Sequence, residues 1–237
     1  MLFYAPDIAT NRELPETEAH HCLKVLRMQQ GDTLRLTDGK GFFYQAELAE
    51  IHSNRCMVNL LETIPQPPLW EGSIEIALAP TKNIDRIEWF AEKATEIGID
   101  KISFLRCRFS ERKELSTGRI LKIMISAMKQ SEKARLPELQ EMTGFKEFIR
   151  QDAERGKFIA HCYPDKKIPL AQACRGNENV LVLIGPEGDF SEEEISLANE
   201  CGFIPVSLGE SRLRTETAAL TACQTIHIIK QIMNYKL

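Results

Sequence analysis

Residues 183–195 read LIGPEGDFSEEEI, a hydrophobic strand that enters a Gly-Pro-Glu-Gly turn and is followed directly by the start of a helix. Ser191 and Glu194 have the Ser-x-x-Glu spacing of a capping box, which pairs the free amides at a helix N-terminus. A strand, a tight turn and a helix in this order are typical of open parallel sheets, whose ligands bind beyond the carboxyl ends of the strands. The stretch therefore predicts an α/β fold and a place where a ligand can bind.

The same alternation of strands and helices extends over most of the chain. A helix is predicted over residues 84–98, a longer one over 118–136 that Pro137 ends, and a last one from about Thr215. Strands are predicted between them, including SIEIALAP, DKISFLRC, KFIAHCY, NVLVLIG and IPVSLG. Such alternation predicts a mostly parallel sheet that is covered by helices on both faces.

The first 70 residues have a different pattern, that of a β-rich module with one short helix. Thr17 is the predicted cap of that helix and Gly31 its end, and residues 32–51 predict a hairpin around the turn TDGKG. The proline-rich residues 65–72, PQPPLWEG, are typical of a linker. We therefore expect one domain over residues 1–70 and a second over residues 73–237.

Composition limits the function classes. The 237 residues are 43% hydrophobic and 27% charged, and no apolar run reaches the roughly 20 residues that span a bilayer. The seven cysteines are scattered and form no C-x-x-C pair, which favours free thiols in a reducing cytoplasm over disulfides or a metal site. We expect a cytoplasmic protein with neither a metal nor a membrane partner.

Charge is distributed unevenly along the chain. Residues 101–135 contain ten basic and three acidic side chains, so this stretch carries +7 and the rest of the chain −11. Such asymmetry can create a phosphate-binding surface on an acidic protein. The alternative is an ordinary solvated helix face.

The charge of the first turn restricts its ligand. Asp189, Glu192 and Glu193 surround the helix start, where they would repel a phosphate group. The glycine fingerprints of dinucleotide-binding proteins and of P-loop proteins are absent. A neutral adenosine or a ligand with a positive centre suits the turn better. The alternative is a capped turn that binds nothing.

The second turn, LGESRLRTETAAL at residues 208–220, carries Arg212 and Arg214 just before the last helix. Two arginines at the mouth of a parallel sheet can hold a phosphate or stabilise an oxyanion, or they can pair with a glutamate to fix a loop. The helix that follows has a broad apolar surface, which is typical of a core or of a subunit interface. His227 within that surface is interpreted as a packing residue.

These motifs resemble those of the ribosomal RNA small subunit methyltransferase E family. The resemblance rests on five motifs that occur in the family's order and span nearly the whole chain. They are HHCLKVLRMQQGD, EKATEIG, AMKQSEKARLPEL, LIGPEGDFSEEEI and LGESRLRTETAAL. The resemblance implies a PUA-like, RNA-binding β-barrel followed by a SPOUT α/β domain with a trefoil knot. It further implies a homodimer that uses S-adenosylmethionine to methylate N3 of one uridine in 16S rRNA of the small ribosomal subunit, with no DNA partner.

The reaction suggests catalytic residues near the second turn. We hypothesise that Arg214 stabilises the anion of uridine, that Glu216 orients Arg214 or accepts the proton, and that Thr217 orients the base. The resemblance further implies which residues hold the cofactor. Those expected to bind the cofactor are Leu183, Gly185, Pro186, Glu187, Gly188, Leu208, Gly209 and Leu213. Those expected to bind RNA are His20, Lys24 and Arg27, whose spacing places them on one helix face, together with Arg106, Arg108, Arg112, Lys129 and Lys133.

Two segments depart from the family pattern. Asp189 replaces the second glycine of GPEGG, and we expect it to be tolerated because aspartate suits a helix start. Lys129 and Lys133 replace the glutamate and the arginine of the central motif. Two other functions stay open: a SPOUT enzyme that acts on tRNA, and a non-catalytic RNA-binding assembly factor.

Overall fold

The computed structural model describes residues 1–52, 55–151 and 154–234, which fold as two units. The first unit contains Met1–Leu69 and Ile125–Leu136, and the second contains Trp70–Met124 and Pro137–Leu237.

The first unit is built on a four-stranded sheet. Its strands are β1 (Leu2–Tyr4), β2 (Thr33–Thr37), β3 (Phe42–His52) and β4 (Arg55–Pro65), in that order across the sheet. β1 lies parallel to β2, and the other pairs are antiparallel. The predicted hairpin is confirmed: a carboxylate oxygen of Asp38 accepts hydrogen bonds from the backbone N–H groups of Lys40 (2.7 Å) and Phe42 (3.2 Å), which fixes the turn. A short helix, α1 (Ile8–Asn11), follows β1.

The helix predicted to run from a Thr17 cap to Gly31 is wrong in its bounds. Helix α2 (Glu16–His20) is preceded by Pro15 and passes into a π-helical turn, His21–Val25. Arg27 has a φ of 57°, in the left-handed region that ends a right-handed helix. The sequence pattern did not show this reversal because the apolar spacing continues past it.

The long helix predicted up to residue 136 also ends early. Helix α4 (Gly118–Gln130) stops where Glu132 takes a φ of 52°. The next residues pair with the β2–β3 turn instead: Ala134 accepts a hydrogen bond from Gly41 N–H, and Leu136 donates one to Gly39, both 2.9 Å. Backbone pairing within the first unit thus replaces the last turns of the predicted helix.

The second unit contains a seven-stranded sheet in which every pair of neighbouring strands is parallel. The order is β7-β6-β5-β10-β8-β11-β9. The strands are β5 (Ser73–Leu78), β6 (Lys101–Arg106), β7 (Glu138–Gly144), β8 (Gly156–Ala160), β9 (Ile168–Pro169), β10 (Asn179–Ile184) and β11 (Ile204–Ser207). The predicted parallel sheet is confirmed; β7 and β9 were not anticipated.

Helices cover both faces of this sheet. The further helices of the second unit are α3 (Ile84–Ile97), α5 (Phe145–Phe148), α6 (Leu170–Ala173), α7 (Glu192–Glu200) and α8 (Thr215–Asn234). α3 and α8 pack against each other, and α8 packs on β5 and β10. α5 and α7 cover the opposite face, where Phe145, Phe148, Phe190 and Ile195 share one core cluster with Ala77 of β5 and with Leu181 and Leu183 of β10.

Helix α8 separates a buried face from an exposed one. Ala219, Ala222 and Ile226 are buried, whereas Ile228 and Ile232 are 43% and 62% exposed. His227 packs edge-on against Trp70 with ring centroids 5.1 Å apart, so its interpretation as a packing residue is confirmed. No helix in the described part of the chain is long and apolar enough to cross a membrane.

Candidate functional site

A cavity of the second unit opens at the carboxyl ends of three adjacent strands. Ala160 at the end of β8 pairs with Ile184 of β10 on one side and with Val206 of β11 on the other. The two turns singled out in the sequence follow β10 and β11, so they frame the cavity with β8 between them. Its volume is about 670 Å³, within the range of small-molecule sites.

The first turn is held in a shape that leaves its backbone open to the cavity. Gly185 and Pro186 are buried and line the cavity. A Cβ atom at Gly185 would lie 3.1 Å from the backbone nitrogen of Phe190, so a larger residue would crowd the turn. A carboxylate oxygen of Glu187 accepts a hydrogen bond of 3.0 Å from Lys82 N–H, which ties the turn to the segment after β5.

Asp189 occupies the position in the first turn where the family pattern has a glycine, and its conformation shows how an aspartate is accommodated there. Its φ is 66°, a region that glycine adopts freely and aspartate tolerates better than most residues. One carboxylate oxygen accepts from Phe190 N–H at 2.8 Å, and the other accepts from Cys162 N–H at 2.7 Å. The expected tolerance therefore has a further cause: the side chain joins the first turn to the residues that follow β8.

The predicted capping box is confirmed at the start of α7. Ser191 Oγ accepts from Glu194 N–H at 3.3 Å, and Glu194 accepts from Ser191 N–H at 2.9 Å. The other oxygen of Glu194 accepts from Arg108 N–H at 2.8 Å. The acidic residues at this turn thus satisfy backbone amides, and a phosphate would have to displace them.

The second turn is connected to the first through α8. The hydroxyl group of Thr215 donates a hydrogen bond of 3.1 Å to the carbonyl oxygen of Gly185. Gly209 has a φ of 125° and lies beside Ser207, whose hydroxyl oxygen accepts from Gly209 N–H at 3.2 Å. Arg214 is exposed and lines the cavity, and within the described residues no side chain pairs with its guanidinium group.

Glu216 does not contact Arg214. One of its carboxylate oxygens lies 3.7 Å from Arg86 Nε, because the first turn of α8 faces α3, which carries Arg86. The other oxygen is buried and has no hydrogen-bond partner among the described residues. The described contact of Glu216 is thus with Arg86, which also lines the cavity and was not singled out from the sequence.

Most residues expected to bind the cofactor line the cavity, but two do not. Leu183 is fully buried beneath the turn, and Gly188 faces Phe109, whose Cβ would lie 3.2 Å from an added Cβ. Glu216 and Thr217 also lie outside the lining. The expected residues within it are Gly185, Pro186, Glu187, Leu208, Gly209, Leu213 and Arg214.

Three residues of the segment after β8 line the cavity and were not singled out from the sequence: His161, Cys162 and Lys167. His161 is 7% exposed, and neither of its ring nitrogens has a hydrogen-bond partner among the described residues. Burial, together with the charge of Lys167, lowers the pKa of His161, while Asp189 and Asp165 act in the opposite direction. KFIAHCY was recognised as a strand, but nothing in the sequence indicated that β8 lies between the two turns.

The basic residues proposed for RNA binding differ in how free their charges are. In the second unit, Arg106 and Arg108 are exposed, whereas Arg112 donates hydrogen bonds to the carbonyl oxygens of Thr81 (3.1 Å) and Lys82 (2.7 Å). Arg112 therefore holds backbone in place, and part of its donor capacity is used.

In the first unit, His20, Lys24 and Arg27 are exposed, but Arg27 lies beyond the helical residues, so the expected single helix face is wrong. Lys129 Nζ lies 2.5 Å from a carboxylate oxygen of the buried Glu18, so it forms an ion pair within the protein. Lys133 is half-buried, and burial lowers its pKa.

Metal binding has no visible basis in the described ranges, where no group of three His, Cys, Asp or Glu side chains is placed to hold an ion.

Taken together, the parallel sheet and its cavity define an α/β domain that binds its ligand through loops at the carboxyl ends of the strands. Residues 68–227 match the family model described as RNA methyltransferase domain, and residues 14–61 match the RNA methyltransferase PUA domain. The first match covers more than half of the chain, which therefore belongs to the RNA methyltransferase family.

Individual proteins agree with this assignment. A structure from Porphyromonas gingivalis, described as a probable rRNA-methyltransferase, is 43% identical with a TM-score of 0.91, covering 98% of this chain and 99% of that one. A ribosomal RNA small subunit methyltransferase E from Neisseria gonorrhoeae, solved bound to S-adenosyl methionine, is 26% identical with a TM-score of 0.83, covering 96% and 97%. The Rickettsia conorii protein of the same name is 27% identical over 212 residues, 89% of this chain and 86% of that protein.

Proposed function

We propose that this protein transfers a methyl group from S-adenosylmethionine to N3 of a uridine in the 16S rRNA of the small ribosomal subunit. The observation that carries the proposal is the cavity framed by the GPEG and LGESRLR turns, in a chain of the RNA methyltransferase family. The solved relative from Neisseria gonorrhoeae, bound to S-adenosyl methionine, supports the choice of cofactor.

The cavity fits this cofactor in size. Its lining contains backbone of Gly185 and Gly209, the carboxylates of Glu187, Asp189 and Glu210, and the basic side chains of Arg86, Lys167, Arg212 and Arg214. The cofactor would supply a methyl group on a positively charged sulfur, and its methionine end carries a carboxylate, so a lining with side chains of both signs suits it. We assign the holding of its adenosyl part to Gly185, Pro186, Glu187, Leu208, Gly209 and Leu213, chiefly through backbone groups. Leu183, buried beneath the turn, and Gly188, packed against Phe109, are assigned to supporting the conformation of the turn.

Arg214 is the residue we assign to the reacting base. Uridine N3 must lose its proton to become a good nucleophile, and the resulting negative charge spreads to the flanking carbonyl oxygens. The unpaired guanidinium group of Arg214 at the cavity rim can stabilise that charge. Thr217, exposed on the first turn of α8, is assigned to orienting the base. The buried Glu216 is assigned to holding Arg86, and its second carboxylate oxygen, which has no hydrogen-bond partner among the described residues, is the candidate proton acceptor.

RNA binding is assigned to both parts of the chain, with residues 1–70 as a PUA-like β-barrel and residues 73–237 as a SPOUT domain with a trefoil knot. The exposed His20, Lys24, Arg27, Arg106 and Arg108 are assigned to phosphate contacts. Lys129 and Arg112 have a structural role first, because their charges are engaged within the protein. Phosphate contacts of this kind make affinity fall steeply with salt.

We further propose that the protein acts as a homodimer in the cytoplasm. The exposed apolar residues Ile228 and Ile232, one turn apart on α8, and the adjacent Met233 support a subunit interface, since neighbouring exposed apolar side chains are typical of such contacts. The proposed substrate on the small ribosomal subunit supports the cytoplasm as the place where the protein works.

The test is methyl transfer from isotopically labelled S-adenosylmethionine to three acceptors: small subunits that lack the modification, free 16S rRNA and total tRNA. We expect label in the ribosomal acceptors and none in tRNA. Label in tRNA alone would favour a different RNA methyltransferase. RNA binding without any transfer would favour an assembly factor.

A further inference from the structure

A buried histidine occupies the centre of the cavity lining. His161 directly follows Ala160, the residue of β8 that pairs with both Ile184 of β10 and Val206 of β11. It therefore lies between the GPEG turn and the LGESRLR turn, although it belongs to neither.

The ring of His161 is buried, and its two nitrogen atoms make no hydrogen bond to the described residues. The residue is 7% exposed. Buried polar atoms in native proteins are nearly always paired, and leaving them unpaired is costly. Because the residue lines the cavity, a group that enters the cavity can pair with these nitrogens.

The surroundings keep this ring uncharged at neutral pH. Lys167 Nζ donates hydrogen bonds to the carbonyl oxygens of His161 (2.6 Å) and Tyr163 (2.7 Å), so a fixed positive charge lies beside the ring. Burial and this charge lower the pKa of His161, against the carboxylates of Asp189 and Asp165. Tyr163 covers the ring with centroids 5.9 Å apart. A neutral imidazole offers one N–H donor and one acceptor nitrogen.

The chemistry of the ring selects the kind of group that it can bind. A donor and an acceptor on one small ring match an uncharged group that carries both, such as an adenine edge or a ribose hydroxyl. We propose that His161 is a cofactor-binding residue that hydrogen-bonds the adenosyl part of S-adenosylmethionine. This assignment rests on the proposed function, and it adds a side-chain contact to a site otherwise described by backbone groups.

Asp189 holds this residue in place from the first turn. Its carboxylate accepts the N–H of Cys162, the residue next to His161, at 2.7 Å. The same hydrogen bond joins the turn after β10 to the segment after β8. His161 is thus presented by a strand end and fixed by the turn that lies opposite.

The test is the affinity of the full-length protein for S-adenosylhomocysteine and for 5′-methylthioadenosine, measured by isothermal titration calorimetry at pH 7.5. His161→Phe keeps a planar ring and removes both nitrogens, so we expect binding of both ligands to weaken about tenfold. His161→Gln keeps a donor and an acceptor and is expected to stay within about threefold of the original. The matched control is His227→Phe, a buried histidine outside the cavity, which is expected to leave both affinities unchanged.

Folding of each variant is checked by thermal unfolding without ligand. We expect His161→Phe to be at least as stable as the original protein, because it removes two unpaired buried nitrogens. A folded His161→Phe protein that binds both ligands with unchanged affinity would overturn the assignment, leaving the proposed function in place. If the original protein binds neither ligand, the proposed function fails and this assignment fails with it.

Discussion

The carboxylate of Asp189 accepts a hydrogen bond of 2.7 Å from the backbone N–H of Cys162, joining the turn after β10 to the segment after β8. Asp189 does this from a φ of 66°, where glycine would be relaxed. The chain therefore combines a less favourable backbone conformation with a contact that glycine cannot make. The two effects can be separated by substitution.

Asp189→Ala loses the contact and keeps the unfavourable φ, whereas Asp189→Gly loses the contact and relaxes the backbone. We expect the alanine variant to be less stable than the glycine variant by about 1 kcal/mol, as measured by urea denaturation. Asp189→Asn, which can still accept from Cys162 N–H, is the control and should be the most stable of the three. Equal stabilities of the alanine and glycine variants would show that the backbone at residue 189 is not under strain.

Arg214 is exposed at the cavity rim, and no side chain of the described residues pairs with it, which leaves its charge available to a reacting base. We expect Arg214→Ala to lower kcat on small subunits by about 10²–10³-fold, the size observed for loss of one well-placed donor to a developing anion. Affinity for S-adenosylhomocysteine should change little.

Single-turnover methylation and calorimetry measure these two quantities separately. Arg175→Ala, an exposed arginine outside the cavity, is the control for a general loss of positive charge. Near-normal turnover of Arg214→Ala would remove Arg214 from the reaction.

Cys162 is the exposed cysteine of the described chain, and it lines the cavity. Burial raises the pKa of Cys22 to about 11 and that of Cys223 to about 12, and burial and Asp189 also raise the pKa of Cys162, so the exposure of Cys162 is what distinguishes it from the buried thiols. We expect a maleimide to label Cys162 first in the folded protein and S-adenosylhomocysteine to slow that labelling, as followed by peptide mass spectrometry. Cys201, half-exposed and outside the cavity, is the internal control. Equal protection of both cysteines would point to a global change rather than occupation of the cavity.

The lowered pKa of His161 predicts a dependence of stability on pH. The ring of His161 binds a proton less readily in the folded protein than in the unfolded chain. As the pH falls below about 6.5, the unfolded chain is therefore protonated at His161 before the folded protein is. Stability from the neutral ring is fully present above that pH and declines below it, until the folded protein is protonated as well.

Urea denaturation at several pH values between 7.5 and 5.5 measures this effect. We expect the free energy of unfolding of the original protein to fall more steeply than that of His161→Gln over this interval. Parallel slopes for the two proteins would contradict the shifted pKa.

Local signals in the sequence predicted the second unit well. Ser191 and Glu194 cap α7 as their spacing indicates, and Gly98 ends α3 with a φ of 123°, where a Cβ would lie 2.7 Å from the ring of Trp70. These features depend on residues within a few positions of each other, or on glycine at a point where the chain must turn.

What the sequence could not predict depends on strand order and on pairing across long separations. Nothing in KFIAHCY indicates that β8 lies between β10 and β11, so His161 and Cys162 were not recognised as cavity residues. Likewise, α4 ends early because Ala134 accepts a hydrogen bond from Gly41, more than ninety positions away. The apolar spacing typical of a helix continues past the end of α4, as it does past Arg27, and therefore conceals where each helix ends.

The central claim is that the methyl group is placed on N3 of a uridine. Its most direct test is nucleoside mass spectrometry of 16S rRNA from unmodified small subunits, after incubation with the protein and isotopically labelled S-adenosylmethionine. We predict a single labelled product, 3-methyluridine, that forms about 10²–10³-fold more slowly when Arg214→Ala replaces the original protein. Label in any other nucleoside, or no label in the presence of demonstrated cofactor binding, would contradict the account.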